Sequence, residues 1–241
     1  MSDDFRADVT LTNMADGDGF RRLSLAWLEA SVRHKYSYNF TWLGRPIIQY
    51  GEDVVAIQEI IWSVKPDLIV ETGIAHGGSL ILSASLLELV GGDGHVLGID
   101  IDIRKHAREG VGNHPMAKRI TMLEGSSVAP EIVQKARLFA AGREKVLVIL
   151  DSNHTHEHVL HELNLYSPLV RFGSYIIVLD TVIDDLPADL YPDRPWGPGN
   201  NPKTAVRDFL LGNRRFEVDR ELEAQLAITT ARDGFLKCVS D

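Results

Sequence analysis

The sequence predicts an α/β fold: a doubly wound, mostly parallel sheet of seven strands behind a helical, aromatic N-terminal extension. Short apolar runs rich in Val and Ile alternate five times with helical segments, the pattern of parallel strands joined by crossover helices. All five runs meet an acid at or just past their carboxyl end, at Glu71, Asp100, Glu124, Asp151 and Asp180. In open α/β sheets, ligands bind in the crevice outside those ends. After Asp180 the alternation stops, and two further strand-like runs close the chain.

Taken in order, residues 1–20 are polar, rich in Asp and Gly and without period, the composition of an unstructured arm. Leu23, Leu25, Trp27 and Leu28 mark a helix over Phe20–Val32. Residues 36–53 hold Tyr36, Tyr38, Phe40, Trp42 and Tyr50 among the breakers Gly44, Pro46 and Gly51, and read as an aromatic loop. A helix spans Asp53–Val64 and ends before Pro66. The first strand is Leu68–Val70, followed by the turn Glu71–Ser79 and a helix stopped by Gly91-Gly92. His95–Ile99 is the second strand and Ile120–Leu123 the third. A helix over Ala129–Ala140 leads to the fourth strand, Val146–Leu150, and a helix over His158–Val170 leads to the fifth, Tyr175–Val178. Residues 182–202 carry five prolines, and a loop of that length in a compact domain is commonly a lid. Lys203–Leu211 resumes as a helix, and Phe216–Arg220 and Phe235–Val239 read as the last strands. Residues 1–52 are thus expected to form an extension and 53–241 a cofactor-binding domain.

The turn after the first strand, E-T-G-I-A-H-G-G-S, places glycines at 73, 77 and 78, where backbone can approach a ligand closely. It lacks the G-x-G-x-x-G spacing and the Lys-Ser/Thr of a phosphate loop. An acid before the glycines would repel a pyrophosphate but can hold an ammonium, so Glu71 suits the amino group of S-adenosylmethionine. Asp100, ending the second strand, can accept hydrogen bonds from ribose hydroxyls. Ser126 and Ser127 follow the third strand and can meet an adenine edge; helix capping by Ser127 is the alternative.

Asp151 and Asp180 end neighbouring strands, so their carboxylates should project to one edge. Two hard oxygen ligands suit Mg²⁺, which would lower the pKa of a bound hydroxyl. His154 stands three residues on and can take the released proton. The neighbouring His156, His158 and His161 are expected on the surface. One histidine and two carboxylates also invite comparison with the facial set of non-haem iron oxygenases, although those sites lie in a double-stranded β-barrel that this chain does not resemble.

Together, E-T-G-I-A-H-G-G-S, G-I-D-I-D, L-D-S-N-H, the Asp-Thr after the fifth strand, W-G-P-G-N-N-P and the closing D-G-F-L-K resemble the cephalosporin hydroxylase/rhamnosyl O-methyltransferase family, from about Tyr38 to Lys237. That resemblance implies a class I S-adenosylmethionine-dependent methyltransferase with a Rossmann-like sheet whose last strand is antiparallel. It implies cofactor contacts at Glu71, Thr72, Gly73, Ala75, Gly77 and Ser79, at Asp100 and Ile101, at Ser126 and Ser127, and at Asp151. It also implies a metal at Asp151 and Asp180, with His154 as general base. Family members often carry Glu-Asp at the end of the fifth strand. Leu179 stands here in place of that Glu, and Thr181 or water would fill the vacant ligand position.

The expected activity is therefore methyl transfer to a hydroxyl of a small molecule, with a sugar of a natural product or glycolipid as the acceptor the resemblance suggests. Two alternatives stand beside it. One is an oxygenase. The other is an S-adenosylmethionine-binding component of a methoxylation system acting on a β-lactam-like substrate. A net charge of −9 with no basic run argues against nucleic acid or an anionic membrane as partner. The single Cys238 excludes an intrachain disulfide, and no run is long enough to span a membrane, so a cytoplasmic protein is expected. The aromatic N-terminal segment makes a homo-oligomer an expectation as well.

Overall fold

The structure is a computed structural model that describes residues 18–241. The expected N-terminal arm falls almost wholly outside the described residues. The first helix, α1, is Asp18–Arg33. The aromatic segment is not the loop that its breakers predict. It forms a 3-10 turn at Tyr36–Asn39 and then a hairpin, β1 (Phe40–Trp42) with β2 (Arg45–Ile47). Leu43 and Gly44, both at positive φ, make its two-residue turn. The signal was missed because leucine seldom occupies the left-handed region, where Asn or Asp would announce the turn.

The main sheet follows. α2 (Gly51–Val64) leads to β3 (Leu68–Thr72), α3 (Gly78–Val90) to β4 (His95–Asp100), and α4 (Lys105–Gly112) to β5 (Ile120–Glu124). α5 (Pro130–Ala140) precedes β6 (Val146–Leu150), and α6 (His156–Tyr166) precedes β7 (Tyr175–Val178). α7 (Pro202–Gly212), β8 (Phe216–Val218), the short α8 (Arg220–Ala224) and β9 (Phe235–Cys238) complete the chain. The strand order is β5-β4-β3-β6-β7-β9-β8, with β9 antiparallel to both of its neighbours. Seven strands with a reversed last one match the expected fold. β3 runs two residues beyond its predicted end, so Glu71 and Thr72 belong to the strand.

Alternate residues of each strand feed two cores. Ile69, Leu147, Ile149 and Ile177 pack under α2 and α3. Leu68, Val70, Val148 and Ile176 pack under α5, α6 and α7 with Tyr166 and Phe209. β3, β6 and β7 are buried on both faces, which explains their unbroken apolar runs. The strand order reverses between β3 and β6, and the ends of those strands frame the crevice. Among the described residues, no helix is long and apolar enough to cross a membrane.

The N-terminal hairpin is set against the sheet domain at Gly78. A Cβ added there would lie 2.2 Å from the Pro46 carbonyl oxygen and 2.8 Å from Ile47 Cα. Those contacts are backbone and have no rotamer to yield. Gly78→Ala is therefore expected to lose about 1–3 kcal/mol, measured as a shift in urea midpoint. Gly212→Ala, where nothing lies within 4 Å, should stay near the parent.

Candidate active site

The turn after β3 is shaped by its glycines and by Asp100. Gly73 has φ +90°, and a Cβ there would lie 2.0 Å from the Asp151 carbonyl oxygen, so only glycine lets β3 and β6 end side by side. Asp100 accepts from the N–H of Ile74 at 2.7 Å and of Ala75 at 3.2 Å through one carboxylate oxygen. Its other oxygen accepts from the N–H of Asp102 at 3.1 Å. The acid at the end of β4 thus braces the glycine turn. Ile101 beside it is 74% exposed, an apolar surface offered to solvent. Gly77, at φ +82°, caps α3.

Glu71 lies beneath this turn rather than on its surface, 1% exposed. Burial pushes its carboxyl up to about 7, against hydrogen bonds from Ser79 and Ser83 that lower it. Thr72 is likewise fully buried. Ser127 is buried too, with its Oγ 3.1 Å from His158 Nε2 and its carbonyl accepting from the Tyr166 hydroxyl at 2.7 Å. Of the cofactor positions named from sequence, Gly73, Ala75, Ser79 and Asp151 line the main cavity. Glu71, Thr72, Gly77, Asp100, Ile101, Ser126 and Ser127 do not.

β6 and β7 pair in register, Leu150 opposite Val178, and the Leu179 N–H donates to the Leu150 carbonyl at 3.0 Å. This pairing brings Asp151 and Asp180 to one edge. His154 Nε2 lies 3.2 Å from Asp180 Oδ2. One ligand atom from each of Asp151, His154 and Asp180 falls within 4.8 Å of the others. Burial holds the Asp151 carboxyl well above the usual carboxylate range, and the charges of Asp180, Glu71, Glu162 and Asp53 add to the effect. Asp53 is itself fully buried and is pushed by burial up to about 6; it accepts from the Thr229 hydroxyl and from the Thr230 N–H and hydroxyl. A cation between Asp151 and Asp180 would relieve this crowding of like charge, so the donor set fits a divalent ion. Thr181 is placed otherwise than a third ligand would be: it is fully buried, its hydroxyl donates to the Thr230 carbonyl at 3.1 Å, and it does not line the cavity.

The cavity holds about 630 Å³. Its floor is the Gly73–Ser79 turn with Asp151, His154 and Asp180. One wall is N-terminal, with Leu28, Tyr38, Gln49 and Tyr50, and the other comes from the Pro-rich segment, with Tyr191 and Trp196. That segment is less irregular than its prolines suggest. It holds 3-10 turns at Thr181–Asp185 and Ala188–Leu190 and a bridge between Gly197 and Asn200. The Trp196 ring meets His154 edge-on, centroids 5.0 Å apart.

Gln49 was not foreseen. Its amide donates to Asp151 Oδ2 at 3.5 Å, and the only signal was a lone polar residue inside I-I-Q-Y. The expectation for the flanking histidines holds only for His161. His156 is half-buried and meets Thr204 at 2.8 Å, and His158 bridges Ser127 and Ser152. The helix starts at His156, two residues earlier than its apolar period indicates, which turns both rings inward.

Comparison with known proteins agrees with this architecture. A relative described as rhamnosyl O-methyltransferase, from Mycobacterium leprae (strain TN), is 32% identical over 217 residues, covering 86% of this chain and 89% of its own. A solved structure of CmcI with Mg and SAM superposes with a TM-score of 0.62 at 20% identity, over 84% of this chain and 78% of that one. The O-methyltransferase TomG from Streptomyces achromogenes, in complex with SAM, gives 0.57 at 17% identity over 93% and 91%. At those identities the two structures speak to the fold. The family model for Rhamnosyl O-methyltransferase/CmcI matches residues 34–239, and with the mycobacterial relative it shows that the chain belongs to the Rhamnosyl O-methyltransferase/CmcI family.

Proposed function

We propose that this chain is an S-adenosylmethionine-dependent, Mg²⁺-assisted O-methyltransferase acting on a hydroxyl of a small molecule, with a sugar of a natural product or glycolipid as the acceptor class. The observation that carries the reading is the convergence of Asp151, His154 and Asp180 at the floor of a cavity whose adjoining wall is the glycine turn. Family membership, relatives described as rhamnosyl O-methyltransferases and a related structure with Mg and SAM support it.

When bound, S-adenosylmethionine supplies an electrophilic methyl group, and Mg²⁺ acidifies the acceptor hydroxyl. The chain's own residues do the rest. The Gly73–Ser79 turn lets backbone come close to the cofactor, and Glu71 offers a counter-charge beneath it for an ammonium. Asp100 combines bracing of the turn with an acceptor for ribose hydroxyls. Asp151 and Asp180 would hold the metal, and Leu179 offers it no ligand atom. His154 takes the acceptor proton as the oxygen–carbon bond forms and the carbon–sulfur bond breaks, and Asp180 stabilises the imidazolium. The N-terminal aromatic wall and the Pro-rich segment orient the acceptor and exclude water.

Calorimetry with S-adenosylhomocysteine tests the cofactor: binding is expected, and its absence removes both the methyltransferase and the cofactor-module readings. An oxygenase using the same three donors would instead turn over with iron and O₂ and need no S-adenosylmethionine. His154→Ala should lower turnover of a rhamnoside acceptor about 10²–10⁴-fold with S-adenosylhomocysteine affinity intact; unchanged turnover removes its role as base. A chelator should abolish activity and Mg²⁺ restore it, whereas Asp180→Asn should not be restored at the same Mg²⁺ concentration.

Glu71 gives a pH signature. Its carboxyl is raised in the fold from 4.5 to about 7. Its contribution to stability is thus full below 4.5 and lost as pH rises through about 7. An ammonium ligand requires the ionised form, so S-adenosylhomocysteine should bind more tightly as pH rises through that range. Calorimetry at several pH values should show the trend in the parent and a flatter one in Glu71→Gln.

A further inference from the structure

We propose that Lys203 is a positioning residue for this site: by joining Asp185 and Asp233 it anchors the segment that brings Asp180 and Trp196 against His154. The inference rests on the proposed role of Asp180 as a metal ligand.

Lys203 is 2% exposed, and its ammonium lies 2.7 Å from Asp185 and 3.1 Å from Asp233. It does not line the cavity. A lysine buried at this depth needs its charge paired, and removing one member of such a group leaves the others uncompensated. Each partner occupies a strategic place. Asp185 closes the 3-10 turn that begins directly after Asp180. Asp233 sits at φ +62° in the tight turn before β9, and it also pairs with Arg220. The next residue, Gly234, accepts from the Val178 N–H at 2.8 Å, two residues before Asp180. Lys203 itself lies in the first turn of α7, which ends the segment. One ammonium therefore ties the beginning of the segment, its end, and the strand turn beside Asp180.

Neighbouring contacts tighten the same closure. Asn201, fully buried, caps α7 with a reciprocal box to Thr204, and its amide donates to Asp184 at 2.7 Å and to the Gly197 carbonyl at 2.9 Å. Asp184 also accepts from the Gly199 N–H at 2.9 Å and pairs with Arg207. Between these anchors runs Trp196, edge-on to His154, with the Arg194 guanidinium 5.1 Å from its ring centroid. Asp180 lies at φ +57°, a strained conformation for a non-glycine residue, which persists only where the surroundings hold it. The Lys203 group is, with the Asp184–Arg207 pair, a charged anchor of the backbone that follows Asp180.

The test compares Lys203→Met, Lys203→Arg and Asp185→Asn with the parent. The Trp196 indole signal in a ¹H–¹⁵N spectrum, assigned with Trp196→Phe, reports the segment. Titration with Mg²⁺ alone reports Asp180, and S-adenosylhomocysteine affinity reports the glycine turn. Lys203→Met is expected to shift the indole signal and weaken Mg²⁺ about 10- to 100-fold, with S-adenosylhomocysteine affinity unchanged. Asp185→Asn should do the same to a smaller degree, and Lys203→Arg should restore both readouts. The proposal is overturned if Lys203→Met leaves the indole signal at its parent position, or if it lowers S-adenosylhomocysteine affinity and thermal midpoint together while Asp185→Asn has no effect. Should the parent bind no Mg²⁺, the metal reading fails by itself, and the indole signal with its rescue by arginine decides the role of Lys203.

Discussion

The site depends on two carboxylates that the sheet forces together. Asp151 and Asp180 follow the ends of the adjacent parallel strands β6 and β7, whose register brings their carboxylates to one edge. Burial and neighbouring acids raise the Asp151 carboxyl well above its ordinary range. Such crowding is unfavourable for an empty fold and favourable for one that holds a cation, which is the usual trade at functional sites. His154 Nε2 lies 3.2 Å from Asp180 at the same edge. The Asp151 backbone is equally constrained. Its N–H donates to the Thr72 carbonyl at 3.0 Å, and its own carbonyl occupies the space that a side chain at Gly73 would need. The glycine turn and the edge that carries Asp151 are thereby packed as one construction.

The acids beyond this pair divide the work by depth. Asp100 spends its carboxylate on three backbone N–H groups and so fixes the turn that a cofactor would lie on. Glu71 and Asp53 lie deeper and are raised by burial, one under the turn and the other linking α2 to Thr229 and Thr230. A chain of net charge −9 thus concentrates acid where a sulfonium, an ammonium or a divalent ion would approach.

The central strands were legible because burial on both faces leaves an unbroken apolar run, and β6 and β7 begin and end where that run predicts. The glycine turn, Asp151 and His154 were legible because the acid-bearing strand ends are set by topology alone. What stayed hidden rests on contacts remote in sequence. Gln49 reaches Asp151 across the fold from a hairpin whose Leu43-Gly44 turn carries no common signature. Prolines at 182–202 signal irregular backbone but say nothing of Lys203, whose buried charge makes sense only beside Asp185 and Asp233. His158 appeared to be a surface residue because a helical histidine carries no mark of what it faces; it turns out to join the serines after β5 and β6.

Leu179 shows how this site differs from the pattern its family resemblance suggests. A glutamate there would bring a third carboxylate next to a pair already crowded, and a metal shell with three anionic ligands would bind its ion tightly. Leucine instead is 2% exposed and packs with Ile177 and Phe235 in the core, although it still reaches the cavity wall. Thr181 does not replace the missing oxygen, because its hydroxyl is committed to the Thr230 carbonyl. A divalent ion held here would take two protein carboxylates, from Asp151 and Asp180. Mg²⁺ tolerates this composition well, since it keeps several waters by preference. Affinity in such a shell falls most heavily on how firmly the two carboxylates are held, which gives the anchoring of Asp180 more weight here than it would have with a third acid present.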